Sequence, residues 1–320
     1  MGHDATNYLP DETREADLDE FLHLLGYNRT SRRAYLLFRE NGYRHLSGVG
    51  ARVSDSEHNG LQLHTRTSAW VLRGDIEDQN RTIRQVRKRF GGYFESDEGR
   101  GRYFRPPDVD RRDAEAGCYI AYFQLQNSLS TANVYLAYLD GSPDKWPALR
   151  SISALADRDP QIVAANLFYT YLVSIFEEFT RALYVALLTY SARKANVFKA
   201  ARIVTDDLVA ASEGRTSLEA AVARKVSFQN IELTLQAFRE LDSTLDMRRD
   251  LTKPYRRRRE TLLTAVARIQ QVRHAVVHRN QIDIYYDLRR ARADLATVNA
   301  AIERIYVGVA RHYGWRVERL

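Results

Sequence analysis

The sequence predicts an α+β protein in two parts, a mixed α+β domain over residues 1–145 and an all-α helical bundle over residues 146–320. Three observations carry this. Apolar and polar residues alternate with the period of a half-buried strand in several stretches before residue 140, and this signal nearly vanishes afterwards. Gly141-Ser142-Pro143-Asp144, with Pro147, is a cluster of turn formers that marks a break. Beyond it, apolar residues recur at three- and four-residue steps, as the buried stripe of a helix requires.

Taken in order, Leu18, Phe21, Leu22 and Leu25 predict a helix over residues 17–26, and Tyr35, Leu36 and Phe38 a second over 31–41, closed by Gly26 and Gly42. Alternation predicts strands over residues 61–67, 119–125 and 133–139, hence a mixed or antiparallel sheet. Between them Asp75 caps a helix over 76–90, stopped by Gly91-Gly92, whose charged face carries Arg81, Arg84, Arg87, Lys88 and Arg89. Residues 94–107, with Arg100, Arg102, Tyr103, Phe104 and Arg105, read as a loop or hairpin. Its chemistry suits nucleic acid, and a solvated linker has the same composition. Asp159-Pro160 places a cap and a first-turn proline before a long helix to about residue 194. Helices follow over 217–226 and 229–245, from Lys253-Pro254 to about 278, and from about 287 to 312. Short joins between them predict an antiparallel bundle.

Composition bounds the partners. Among 320 residues, 48 Lys and Arg against 41 Asp and Glu leave a net charge of +7, and the cations are mainly arginine, which suits bidentate contact with phosphate. The single cysteine, Cys118, cannot close an internal disulfide, and its flanks read as the start of a strand with a buried thiol. Glu177, Glu178 and Arg181 interrupt the most apolar helix, so no membrane span is expected, and the N-terminus lacks the pattern of a secretion signal. A cytoplasmic location follows as the expectation. There the loose myristoylation pattern at residues 1–6 and the sequons at Asn28 and Asn80 read as coincidence.

The chemistry concentrates in Val272-Arg273-His274-Ala275-Val276-Val277-His278-Arg279-Asn280. Arg273 is a permanent cation, and imidazole exchanges a proton near neutral pH. Phosphodiester cleavage in RNA needs that pair. Spacing alone is a weak signal, since Arg39 to His45, Arg52 to His58 and Arg268 to His274 match when it is loosened by one residue. Only Arg273 to His278 adds a polar second position, apolar residues before the histidine, and a place near the end of a late helix.

In this context the motif resembles that of the HEPN superfamily, an arginine, a polar residue, three further residues and a histidine on the third helix of a small bundle. The resemblance covers residues from about 159 onward. Its earlier anchor is residues 171–179, similar to a first core helix in which an acidic residue follows an apolar run. The resemblance implies a metal-independent endoribonuclease that works as a homodimer, with two motifs facing each other, in bacterial toxin or antiphage systems. Arg273, His274 and His278 carry over as the motif, with Glu178 or Glu177 as the accessory carboxylate. RNA is then the expected partner, with no cofactor. The four cations Arg256, Arg257, Arg258 and Arg259, beside Tyr255 on the same predicted helix, are candidate RNA contacts, as are Arg279 and Asn280. An unidentified trigger or inhibitor is expected to act on the first domain.

Other readings stay open. Arg273 and His278 also fit an ordinary helix end, where cationic side chains favour the last carbonyls. His274 and His278 share a face at i and i+4 and would hold a metal if Glu178 supplied a third ligand, although the acidic residue of a His-Glu-x-x-His motif is missing. Glu177 and Glu178 either orient the motif or pair with Arg181 at a rim. A non-catalytic RNA-binding or dimerisation module would carry the same motif.

Overall fold

A computed structural model describes residues 2–39, 41–56, 60–107, 111, 113–141, 159–256 and 259–317. The fold is α+β, an antiparallel sheet followed by helices. By its contacts the chain divides into residues 1–116 and 117–320, earlier than the division between 145 and 146 drawn from the sequence. The turn-rich break itself falls almost wholly within residues 142–158, outside the described residues.

In the first unit, strands β1 (His3–Tyr8), β2 (Asn28–Ser31), β3 (Ala34–Leu37), β4 (Val49–Asp55), β5 (Leu61–Thr67), β6 (Tyr93–Ser96) and β7 (Gly99–Arg100) form one sheet in the order β2-β3-β4-β5-β1-β6-β7. Every pairing is antiparallel. Helix α1 (Glu15–Leu24) buries Leu18 and Leu22 in a core with Tyr35, Leu37, Val49, Val53 and Leu63 from alternate sheet positions. Burial of such side chains contributes about 1.5–3 kcal/mol each. The helix expected over 31–41 is instead the β2–β3 hairpin. Tyr35 and Leu37 point into the core while Leu36 is exposed, the period of a strand, and Arg33 turns the chain at φ +59°.

Helix α2 (Arg73–Phe90) starts two residues before Asp75, so Asp75 is inside the first turn and accepts from the N–H groups of Leu72 (2.9 Å), Leu46 (3.0 Å) and Gly48 (2.8 Å). Its buried face is polar and mostly hydrogen-bonded, while Asp78 pairs with Arg39 at 3.0 Å and Arg81 at 2.7 Å. Gln79 donates to the carbonyls of His3 and Thr65, and the Asn80 amide binds the backbone of Phe104 in both directions at 2.8 and 3.1 Å. Asn80 thereby fixes residues 103–105 beside the β6–β7 hairpin. Gly92, at φ +77°, follows the helix where any side chain would collide with the carbonyl of Tyr8.

Residues 119–125 and 133–139 are not strands. They lie in one helix, α3 (Asp113–Gly141), which buries Cys118, Tyr122, Leu125, Leu129, Ala132 and Leu136 at alternating steps of four and three. Cys118 is buried as expected, but in a helix. The capped helix predicted at Asp159 is α4 (Pro160–Tyr190), with the Asp159 carboxylate accepting from Gln161 N at 2.8 Å. By length and composition α4 is apolar enough to cross a bilayer, contrary to the expectation drawn from its three charges. However, 61% of its most apolar window is buried inside the structure.

Short helices α5 (Lys194–Ala200), α6 (Thr205–Ser212) and α7 (Leu218–Ala223) lead to α8 (Ile231–Leu241), α9 (Met247–Thr252), α10 (Leu262–Arg279) and α11 (Leu288–His312). Thr261 caps α10 and Asp287 caps α11. Helices α4, α10 and α11 pack on one another, burying Leu172, Phe176, Val266, Ile269, Val298 and Ile302. Asp294 of α11 takes both arms of Arg268 from α10, at 2.8 and 3.4 Å, and the Tyr286 hydroxyl at 3.2 Å. Burial, followed by the Asp294 charge, raises the Tyr286 and Tyr169 pKa values, so both phenols stay neutral donors.

Candidate functional site

Helix α10 begins at Leu262, later than Lys253-Pro254 suggested, and this separates two groups that the sequence placed on one helix. Arg256, at φ +46°, and Arg259 precede α10 near its N-terminus, and Arg257 and Arg258 lie outside the described residues. Arg273 is about 16 Å further along, at 1.5 Å per helical residue. The Tyr255 ring is held between Arg256 and Arg304, whose guanidinium also donates to the carbonyl of Lys253 at 2.7 Å.

Arg273 is half-buried. Its Nη1 donates to Gln229 Oε1 at 3.4 Å, while its Nε is buried without a hydrogen-bond partner among the described residues. The Gln229 side chain also hydrogen-bonds Glu177 of α4. Burial pushes the Glu177 carboxyl above its ordinary value, and the Arg273 charge and the Gln229 hydrogen bond act in the opposite direction. Glu177 is therefore the carboxylate that faces the motif. Glu178, named from the sequence as the first candidate, has a 72% exposed side chain paired with Arg181 at 2.8 Å. On α4 the two positions are rotated by about 100°, which sends them to different surroundings.

His274 and His278 are exposed one turn apart, with ring centroids 4.6 Å from each other. Five residues along a helix is a rotation of about 140°, so Arg273 and His278 flank the end of α10 rather than stack. Asn280 closes the helix in the left-handed conformation at φ +51°, its N–H bonded to the Ala275 carbonyl, and Arg279 beside it is exposed.

Sequence reasoning did not single out the residues that hold this geometry. Gln270, buried one turn before His274, accepts from Ile231 N at 2.8 Å and donates to the Phe228 carbonyl at 3.3 Å. It thereby pins the loop that carries Gln229 to Arg273. Asn166 of α4 binds the backbone of Asp283 at 3.0 and 2.8 Å, which ties down the segment after the motif. Both are lone amides in helical stretches, and only their burial reveals them. Among the described residues no cluster of three or more His, Cys, Asp or Glu side chains is placed to hold a metal ion. A cavity of about 310 Å³ lies elsewhere in this unit, lined by residues of α8 and α9 that include Glu232, Arg239 and Arg248. No family model, curated protein or solved structure matches this chain.

Proposed function

We propose that the second unit is a metal-independent endoribonuclease of HEPN type. The observation that supports it is a half-buried arginine, hydrogen-bonded through Nη1 to Gln229 and close enough to Glu177 for their charges to interact, set beside two exposed imidazoles at the end of α10. In the reaction the ribose 2′-oxygen attacks phosphorus while the bond from phosphorus to the 5′-oxygen breaks. His278 takes the 2′ proton or delivers one to the leaving oxygen. Arg273 binds the non-bridging oxygens as charge accumulates there, and His274 lines the same surface as the polar second position of the motif.

The exposed motif suits a site completed by a second copy, with two α10 ends facing each other and Val277, 45% exposed between the histidines, at the contact. A cytoplasmic toxin or antiphage effector is the setting this reading carries. The competing reading is a non-catalytic RNA-binding or dimerisation module. It is favoured by the clip that Gln229 makes between Glu177 and Arg273, which serves packing equally well.

Cleavage of total RNA by the purified protein, with the ends mapped, separates the two. The nuclease reading expects 2′,3′-cyclic phosphate ends, undiminished by EDTA. It also expects losses of about 10²–10³-fold for Arg273→Ala and about 10²–10⁴-fold for His278→Ala, with the fold and association state retained. Intact RNA, or cleavage that both variants retain, rejects it.

A further inference from the structure

The first unit carries a feature that the cleavage reading does not use. Tyr8 of β1 and Tyr93 of β6 are direct cross-strand partners, and their rings stack at 4.6 Å and 14°. The Arg100 guanidinium of β7 sits 4.3 Å over the Tyr93 ring, continuing the column across the edge of the sheet. Tyr93 is 40% exposed and Arg100 is exposed. On the other side of the same hairpin, Arg84 of α2 lies over Tyr103 at 5.2 Å and Arg87 over Phe94 at 5.2 Å.

Cations predominate around this column, although Glu95 is the cross-strand partner of Arg100 and its charge reaches Tyr8. In the first half of α2, Arg73 pairs with Glu77 and Arg81 with Asp78. By contrast Arg84, Arg87, Arg100, Arg102 and Arg105 are all exposed, and among the described residues none has a carboxylate within ion-pair distance. Two stretches distant in sequence, the end of α2 and residues 99–105, are thus brought together as cations interleaved with aromatic rings. Stacking rings beside unpaired arginines recognise a chain of bases and phosphates in which the bases are open.

We propose that the β6–β7 edge is a binding platform for single-stranded nucleic acid. A base extends the Tyr8–Tyr93–Arg100 column by stacking on the guanidinium, and the neighbouring arginines hold the flanking phosphates. A duplex hides its base faces and binds here only through charge.

The test uses the full chain and a labelled 2′-O-methyl oligouridine, which lacks the attacking hydroxyl, so binding is read whether or not the second unit cuts RNA. Fluorescence anisotropy is expected to show Tyr93→Ala and Arg100→Ala each weakening binding about tenfold. Arg100→Lys, which keeps the charge but loses the planar fork, should weaken it several-fold. Tyr93→Phe should bind as the parent does, and Arg32→Ala, the same loss of charge at the far edge of the sheet, should change binding less than about twofold. Circular dichroism checks the fold. If Tyr93→Ala unfolds, the Arg100 pair of variants decides alone. The proposal is overturned if the oligonucleotide does not bind, if Arg100→Lys binds as the parent does, or if duplex and heparin bind as tightly as the single strand.

Discussion

Glu177 is a carboxylate whose surroundings pull it both ways. Burial raises its pKa, against the opposing Arg273 charge and Gln229 hydrogen bond. Because the folded value lies above the unfolded one, folding favours the protonated form. The stability this adds is present below the unfolded pKa and is lost as pH rises through the raised folded value. Glu177→Gln, which imitates the protonated acid, should therefore be at least as stable as the parent at pH 7. In thermal melts the difference should close below about pH 4, the ordinary carboxylate range. A variant that is clearly less stable at pH 7 would show the Arg273 charge and the Gln229 hydrogen bond outweighing burial. Arg273, His274 and His278 could be read from residue type and spacing. Choosing between Glu177 and Glu178 could not, because adjacent positions in an apolar helix differ only in what other elements bring to them, and Gln229 arrives from outside α4.

Helix α10 is positioned by polar contacts as well as by its apolar stripe. Asp294 binds Arg268 and Tyr286 together, so Asp294→Ala leaves the partly exposed guanidinium with Glu260 alone and takes the acceptor from a buried phenol. A loss of about 2–3 kcal/mol in chemical denaturation is expected. Gln270→Leu should cost about 1–3 kcal/mol by orphaning the Ile231 N–H and the Phe228 carbonyl. It should also lower cleavage more than Asp294→Ala does, since it releases the loop holding Arg273. Equal effects on cleavage would mean that Gln270 acts through stability alone. At this scale the sequence was legible where a cap was explicit, as at Asp159-Pro160. It misled where two periods coexist. Tyr119, Ala121, Phe123 and Leu125 alternate like a strand, while positions 118, 122, 125, 129, 132 and 136 follow a helical stripe that only a longer window reveals. Residues 31–41 erred the other way, because four consecutive apolar side chains, Tyr35 to Phe38, fit a short helix as well as a hairpin.

For the molecule, the α+β class follows from composition and pattern, but the division between units does not. Misreading α3 as strands assigned it to the first domain, whereas its contacts place nearly all of it in the second unit. Net charge pointed to polyanions without saying where they bind, because ion pairing that depends on the fold decides which arginines remain unspent. Sheet order adds something else. β1 precedes the other described strands yet lies between β5 and β6, so the edge of β1 that β6 covers stays open until residues 93–96 have been synthesised. Closure over so long a separation is slow. During that interval β1 exposes a raw backbone edge, making the nascent first unit a template for mispairing until β6 arrives to seal it.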